Sequence, residues 1–113
     1  MKNLLISTIF YLIAHALVWF QMNGQFMWRS WKGNILLVSL IGIPASIFFI
    51  WATKWGVKGF DGLLWPNRFV SFAIGIFVYG FFVNYFFNET INLKTIITLI
   101  LALMILLVQI FWK

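Results

Sequence analysis

One histidine, His15, stands in the middle of the first apolar stretch of this 113-residue chain. Ser7 and Tyr11 precede it at four-residue steps, and Trp19 follows at the next step. Four residues overshoot one helical turn by only about 40°, so these side chains share one side of a helix. An ionisable group inside an apolar span is costly and marks a functional site by default. The imidazole titrates near neutrality in water, so His15 could bind and release a proton. The alternative is a neutral ring hydrogen-bonded to Tyr11 or to a neighbouring helix.

A second set of polar residues interrupts the stretch Asn67–Phe87 (NRFVSFAIGIFVYGFFVNYFF), around which the chain is expected to be organised. Ser71, Gly75 and Tyr79 repeat every four residues, and small residues in such a row let another backbone come close. Tyr79 and Asn84 have little reason to face lipid tails, and either line a cavity or bridge helices. Arg68 at the head of the stretch could meet a phosphate or carboxylate bidentately, or simply snorkel to headgroups. Trp19, Trp51, Trp55 and Trp65 read as an interfacial belt or as stacking walls for a substrate. Pro44, Gly75 and Gly80 are the expected points of bending.

Enzyme chemistry finds no material here. The chain has one histidine, no cysteine and two carboxylates, Asp61 and Glu89, both in linkers. No catalytic triad, metal cluster or phosphate-cradling loop can be assembled from these, so no catalytic residue, metal or cofactor is expected. Glu89 suits the N-terminus of the helix that follows it.

The elements that must hold these residues follow from composition. Hydrophobic residues make up 64% of the chain and charged residues 9%, and the mean hydropathy is +1.01. So few charges cannot cover a soluble domain of this size, which points to an integral membrane protein in a lipid bilayer. The fold class expected is all-α, a four-helix membrane bundle, as a single transmembrane domain over 1–113. Its helices are expected at about 4–22, 34–53, 67–87 and 93–112. The first has no small-residue cleavage site and reads as a retained helix rather than a signal peptide.

Pro44 lacks an amide hydrogen, so the Leu40 carbonyl loses its helical partner and a kink is expected there. Gly42 and Ser46 make a small-xxx-small pair. Linker 23–33 carries Trp28, Trp31, Arg29 and Lys32, an interfacial pattern. The partly apolar middle of linker 54–66, Gly59–Pro66, is expected to dip into the interface. Asn88-Glu89-Thr90 fits an N-glycosylation pattern too near the membrane to be a good acceptor, and Lys113 would close the chain at a headgroup.

The net charge of +6 is scattered through short loops, which suits headgroups and topology rather than nucleic acid. Four spans put Lys2, Lys54, Lys58, Arg68 and Lys113 on one side and Arg29, Lys32 and Lys94 on the other. The excess on the first side favours cytoplasmic termini, in a bacterial inner membrane, and its thinness allows dual insertion.

The segment GIFVYGFFVNYFFNETINLKTIITLILALMILLVQIF, Gly75 to Phe111, resembles the end of the repeat unit of the drug/metabolite transporter superfamily. Glu89 matches that family's turn glutamate. Trp51–Gly56 (WATKWG) is similar to the corresponding segment of small four-helix members, and the length and four-span plan resemble the small multidrug-resistance proteins. The resemblance implies a dimer, often antiparallel. It departs at helix 1, where the drug-exporting members carry a glutamate and this chain has His15 near the equivalent depth. A histidine offers a cation no fixed negative charge, so the resemblance implies a neutral, anionic or lipid-like substrate, as in the superfamily's flippase subunits.

The expected function is a small transporter or flippase subunit with a cavity formed on homodimerisation, lined by Tyr11, His15, Trp19, Tyr79 and Asn84. The alternatives are a non-transporting subunit that anchors a larger membrane complex, and a pore or holin-like assembly.

Overall fold

The computed structural model describes residues 2–89 and 91–112, the Lys32 side chain apart. Thr90 of the glycosylation pattern and Lys113 lie outside the described residues, as does the Lys32 side chain of the expected belt. The described chain is helical, without a β-strand. Helix α1 runs Lys2–Asn23, a 3₁₀ turn covers Gly24–Phe26, and α2 is the single turn Arg29–Lys32. Helices α3 (Ile35–Ser39) and α4 (Gly42–Gly59) are two pieces of one apolar stretch. Helix α5 spans Leu64–Phe87 and α6 spans Leu93–Phe111. Four segments are long and apolar enough to cross a membrane, at 2–26, 35–59, 64–87 and 93–111. The outer surface is correspondingly greasy: Leu36 is 85% exposed, and Leu64, Leu93 and Phe111 are similarly bare.

The break between α3 and α4 falls at Leu40–Ile41, one turn before Pro44. Its cause is the missing Pro44 amide. The Leu40 carbonyl accepts instead from the Ile43 amide at 3.1 Å, a tighter turn that leaves the Ser39 carbonyl without a helical donor. The Gln21 side chain of α1 supplies one, its Nε2 donating to the Ser39 and Val38 carbonyls at 3.3 and 3.4 Å. Freed backbone groups inside an apolar bundle are commonly met by a neighbouring helix in this way.

Helix α4 continues six residues past the expected end at Thr53. Lys54 and Lys58 lie over the Trp55 ring at 5.7 and 5.1 Å, so their charges sit on the outer face without ending the helix. The helix stops where Asp61 and Gly62 take positive φ and the Gly62 amide returns to the Val57 carbonyl at 2.8 Å. The linker is thus only 60–63. Helix α5 starts three residues before Asn67, with Pro66 in its first turn where no amide is needed. It runs as one continuous helix through Gly75 and Gly80. Helix α6 is capped by Asn92, whose Oδ1 accepts from the Thr95 amide at 2.9 Å, and Glu89 stays outside its first turn.

The closest pair is α1 with α4, packed antiparallel. Small residues make this possible: Ser7 and Ala14 of α1 meet Ala45, Ala52 and Gly56 of α4, all buried. Helix α5 lies parallel to α1, touches α4 weakly and carries α6 on its far side. The four spans therefore form an open, flattened bundle of 47 × 35 × 18 Å, under two helix diameters thick. Helix α5 touches α1, α4 and α6, yet the core lies in the α1–α4 seam.

Candidate functional site: a polar cleft over helix 1

Because α4 and α5 each pack on α1 but barely on each other, a wedge stays open between them. The α1 row read from the sequence forms the buried side of that helix: Ser7, Tyr11 and Trp19 are buried and His15 half-buried. Tyr11 and His15 floor a cleft of about 500 Å³, walled by Phe49 and Thr53 of α4 and by Leu64, Asn67, Arg68 and Ser71 of α5.

The polar atoms of the floor are tied together. Asn67 Nδ2 donates to the Tyr11 hydroxyl at 2.8 Å, and that hydroxyl shares a hydrogen bond of 3.2 Å with Thr53 Oγ1. Ser7 Oγ donates to the Ala52 carbonyl at 2.7 Å. His15 Nε2 lies 3.4 Å from Ser71 Oγ, and its ring meets Phe49 edge-on at 5.0 Å between centroids. Gly75 fits beneath the imidazole, since a methyl there would fall 2.7 Å from His15 Cε1. One buried acceptor, Asn67 Oδ1, has no conventional donor. A β-carbon on Gly56 would collide with it, so the Gly56 α-hydrogen points at this oxygen, a weak C–H···O contact.

The expected site residues divide in three. Tyr11 and His15 line the cleft, and Arg68 joins them at its rim. Trp19 does not: it packs against Phe82 and Phe86, at 5.1 and 5.6 Å, in an aromatic seam at the other end of the α1–α5 contact. Tyr79 and Asn84 are exposed on the outer surface of α5, Tyr79 by 52%, and do not meet His15 within the chain. The row Ser71, Gly75, Tyr79 therefore turns away from α1 after its second member.

Asn67 and Thr53 were missed, for identifiable reasons. Asn67 stands one turn before Ser71 and extends the same four-residue row, a signal present in the sequence. Thr53 was placed at a helix end, which hid that it and Phe49 are four apart on one face of a longer helix. Ending α4 early also hid the close approach at Gly56. Among the described residues no three His, Cys, Asp or Glu side chains come together as a metal site. No family model, curated protein or solved structure matches this chain.

Proposed function

We propose that this chain is a small multi-pass membrane transporter or flippase subunit that acts on a small or lipid-like substrate. The observation that carries the reading is the cleft itself: six hydrogen-bonding side chains gathered in a bundle whose surface is otherwise apolar. Polar side chains within such segments are costly and mark substrate or proton paths. His15 would be the group that exchanges a proton or a hydrogen bond during the cycle, held by Ser71 and Phe49. The cleft is too short to be a pathway through the membrane on its own, and a second copy would extend it. Tyr79, exposed near the middle of α5, suits burial against that copy better than contact with acyl chains. The proposed location is a bacterial inner membrane, with both termini cytoplasmic, and the kinship proposed is with the small drug/metabolite transporters.

The test is lipid translocation in proteoliposomes holding a fluorescent phospholipid that a membrane-impermeant reductant bleaches from outside. Wild-type protein should speed the loss of inner-leaflet signal, and His15→Ala, incorporated equally, should not. Wild-type vesicles no faster than protein-free ones would remove the flippase reading. Wild-type activity in His15→Ala would remove His15 from the mechanism. Tags on both termini, probed from each side of intact cells, check the orientation.

A second reading, a non-transporting subunit of a larger complex, draws on α6, which packs mainly on α5 and leaves most of its apolar surface bare. A fixed partner co-purifying with the chain would favour it. A self-contained homodimer in mild detergent favours transport. Ion leak from the vesicles would instead indicate a pore.

A further inference from the structure

Resting on the same cleft, we infer that its ligand is the phosphate headgroup of an anionic lipid, entering sideways between α4 and α5. Three observations converge. The first is charge. Among the described residues, Arg68 is the one charged residue lining the cleft, and no carboxylate lines it. Asp61 lies in the turn 60–63, and Glu89 lies beyond the far end of α5. A guanidinium without a carboxylate nearby is suited to pair bidentately with a phosphate.

The second is the direction of the mouth. The exposed residues of the rim, Thr53, Leu64 and Arg68, stand on the flanks of two helices. None of the residues 60–63 that join those helices lines the cleft, so it opens between helix sides rather than under the loop. In a bilayer those sides face lipid. Arg68 is four residues into α5, or about 6 Å of rise, a depth near the headgroups. Leu64 and Phe49 present apolar surface beside it, where the start of an acyl chain would lie.

The third is donor supply. Asn67 donates to Tyr11, and Tyr11 can pass its own hydrogen to Thr53. The Thr53 hydroxyl hydrogen is then free at the rim, across the mouth from Arg68. One donor from each helix would thus flank a phosphate, with one further donor from the hydrogen-bonded Ser71–His15 pair deeper in the cleft. An arginine that merely snorkels would need none of these partners.

The experiment is native mass spectrometry of the detergent-purified protein with phosphatidylglycerol, phosphatidylcholine or inorganic phosphate. Phosphatidylglycerol should be retained preferentially. Arg68→Gln should weaken its retention roughly tenfold, as loss of a charge-assisted bidentate contact does, and Arg68→Lys should recover only part. Thr53→Val should weaken it less, and Arg29→Gln, at the opposite end, should leave it unchanged. Equal retention of phosphatidylcholine, or an equal loss with Arg29→Gln, would overturn the inference. Displacement of the lipid by millimolar inorganic phosphate would overturn the lipid assignment and make free phosphate the ligand. Retention without translocation in the vesicle assay leaves this inference standing while the transport reading falls. Translocation with no headgroup preference does the reverse.

Discussion

The Asn67 carboxamide donates to the Tyr11 hydroxyl at 2.8 Å, and that hydroxyl also bonds Thr53. Three helices thus meet at one oxygen: α5 through Asn67, α1 through Tyr11 and α4 through Thr53. Because α4 and α5 scarcely touch each other directly, this oxygen is their main polar link beneath the cleft. Tyr11→Phe removes both bonds and strands the buried Asn67 amide. Interhelical hydrogen bonds in membranes average about 0.6 kcal/mol, and a stranded partner adds to this, so a loss of about 1 kcal/mol is expected. Thermal unfolding in detergent measures it, with Thr53→Val expected to cost less.

Gly56 is a point where α4 comes close to both α1 and α5. A methyl there would strike Asn67 Oδ1 and lie 2.7 Å from Ser7 Oγ. Gly56→Ala should therefore destabilise the protein by about 2 kcal/mol, in the range of overpacked cores. Adding Asn67→Ala should recover part of the loss, because the two sites clash directly and their effects cannot add. Purely additive melting temperatures would contradict the packing described.

The Gln21 side chain is needed because Pro44 breaks the helix. In Pro44→Ala a restored amide can serve the Leu40 carbonyl, which frees the Ile43 amide for Ser39. Gln21→Ala should then cost about 1 kcal/mol in the wild type, the usual worth of such a bond, and almost nothing alongside Pro44→Ala. A double-mutant cycle on unfolding midpoints reads the difference. Hydrogen exchange should also slow at 40–44 in Pro44→Ala as the two helices become one.

Gly75 sets the position of the imidazole. Gly75→Ala places a methyl 2.7 Å from His15 Cε1, yet the ring is a movable tip, so the cost should stay below about 1 kcal/mol. The ring must turn, and its 3.4 Å contact with Ser71 should be lost. The chain has one histidine, so a nitrogen spectrum of histidine-labelled protein carries one residue's signals. Those signals should shift in Gly75→Ala and in Ser71→Ala alike. An unmoved spectrum in both would place His15 elsewhere.

Much of the fold was legible in the sequence where one physical cause acts locally. Long apolar runs point to helices, because a helix bonds every interior backbone group within its own segment. The row Ser7, Tyr11, His15, Trp19 named the buried side of α1 because polar and aromatic exceptions at helical spacing share a face. Pro44 foretold the break, since its missing amide is a property of one residue. Boundaries were less legible: Lys54 and Lys58 looked like a linker, and only their stacking on Trp55 shows that the helix carries on beneath them.

Chain chemistry alone determined four apolar helices, the polar face of α1 and the proline break. Only the tertiary structure decided which polar residues share a cleft. It separated Tyr11 and His15 from Trp19, Tyr79 and Asn84, and added Thr53, Asn67 and Arg68. The reason is that spacing along one helix sets direction around its own axis, whereas partnership depends on which helices can come close. Here that was settled by the small residues at Ala14, Ala52 and Gly56, which draw α4 onto α1 and leave the wedge beside α5 open.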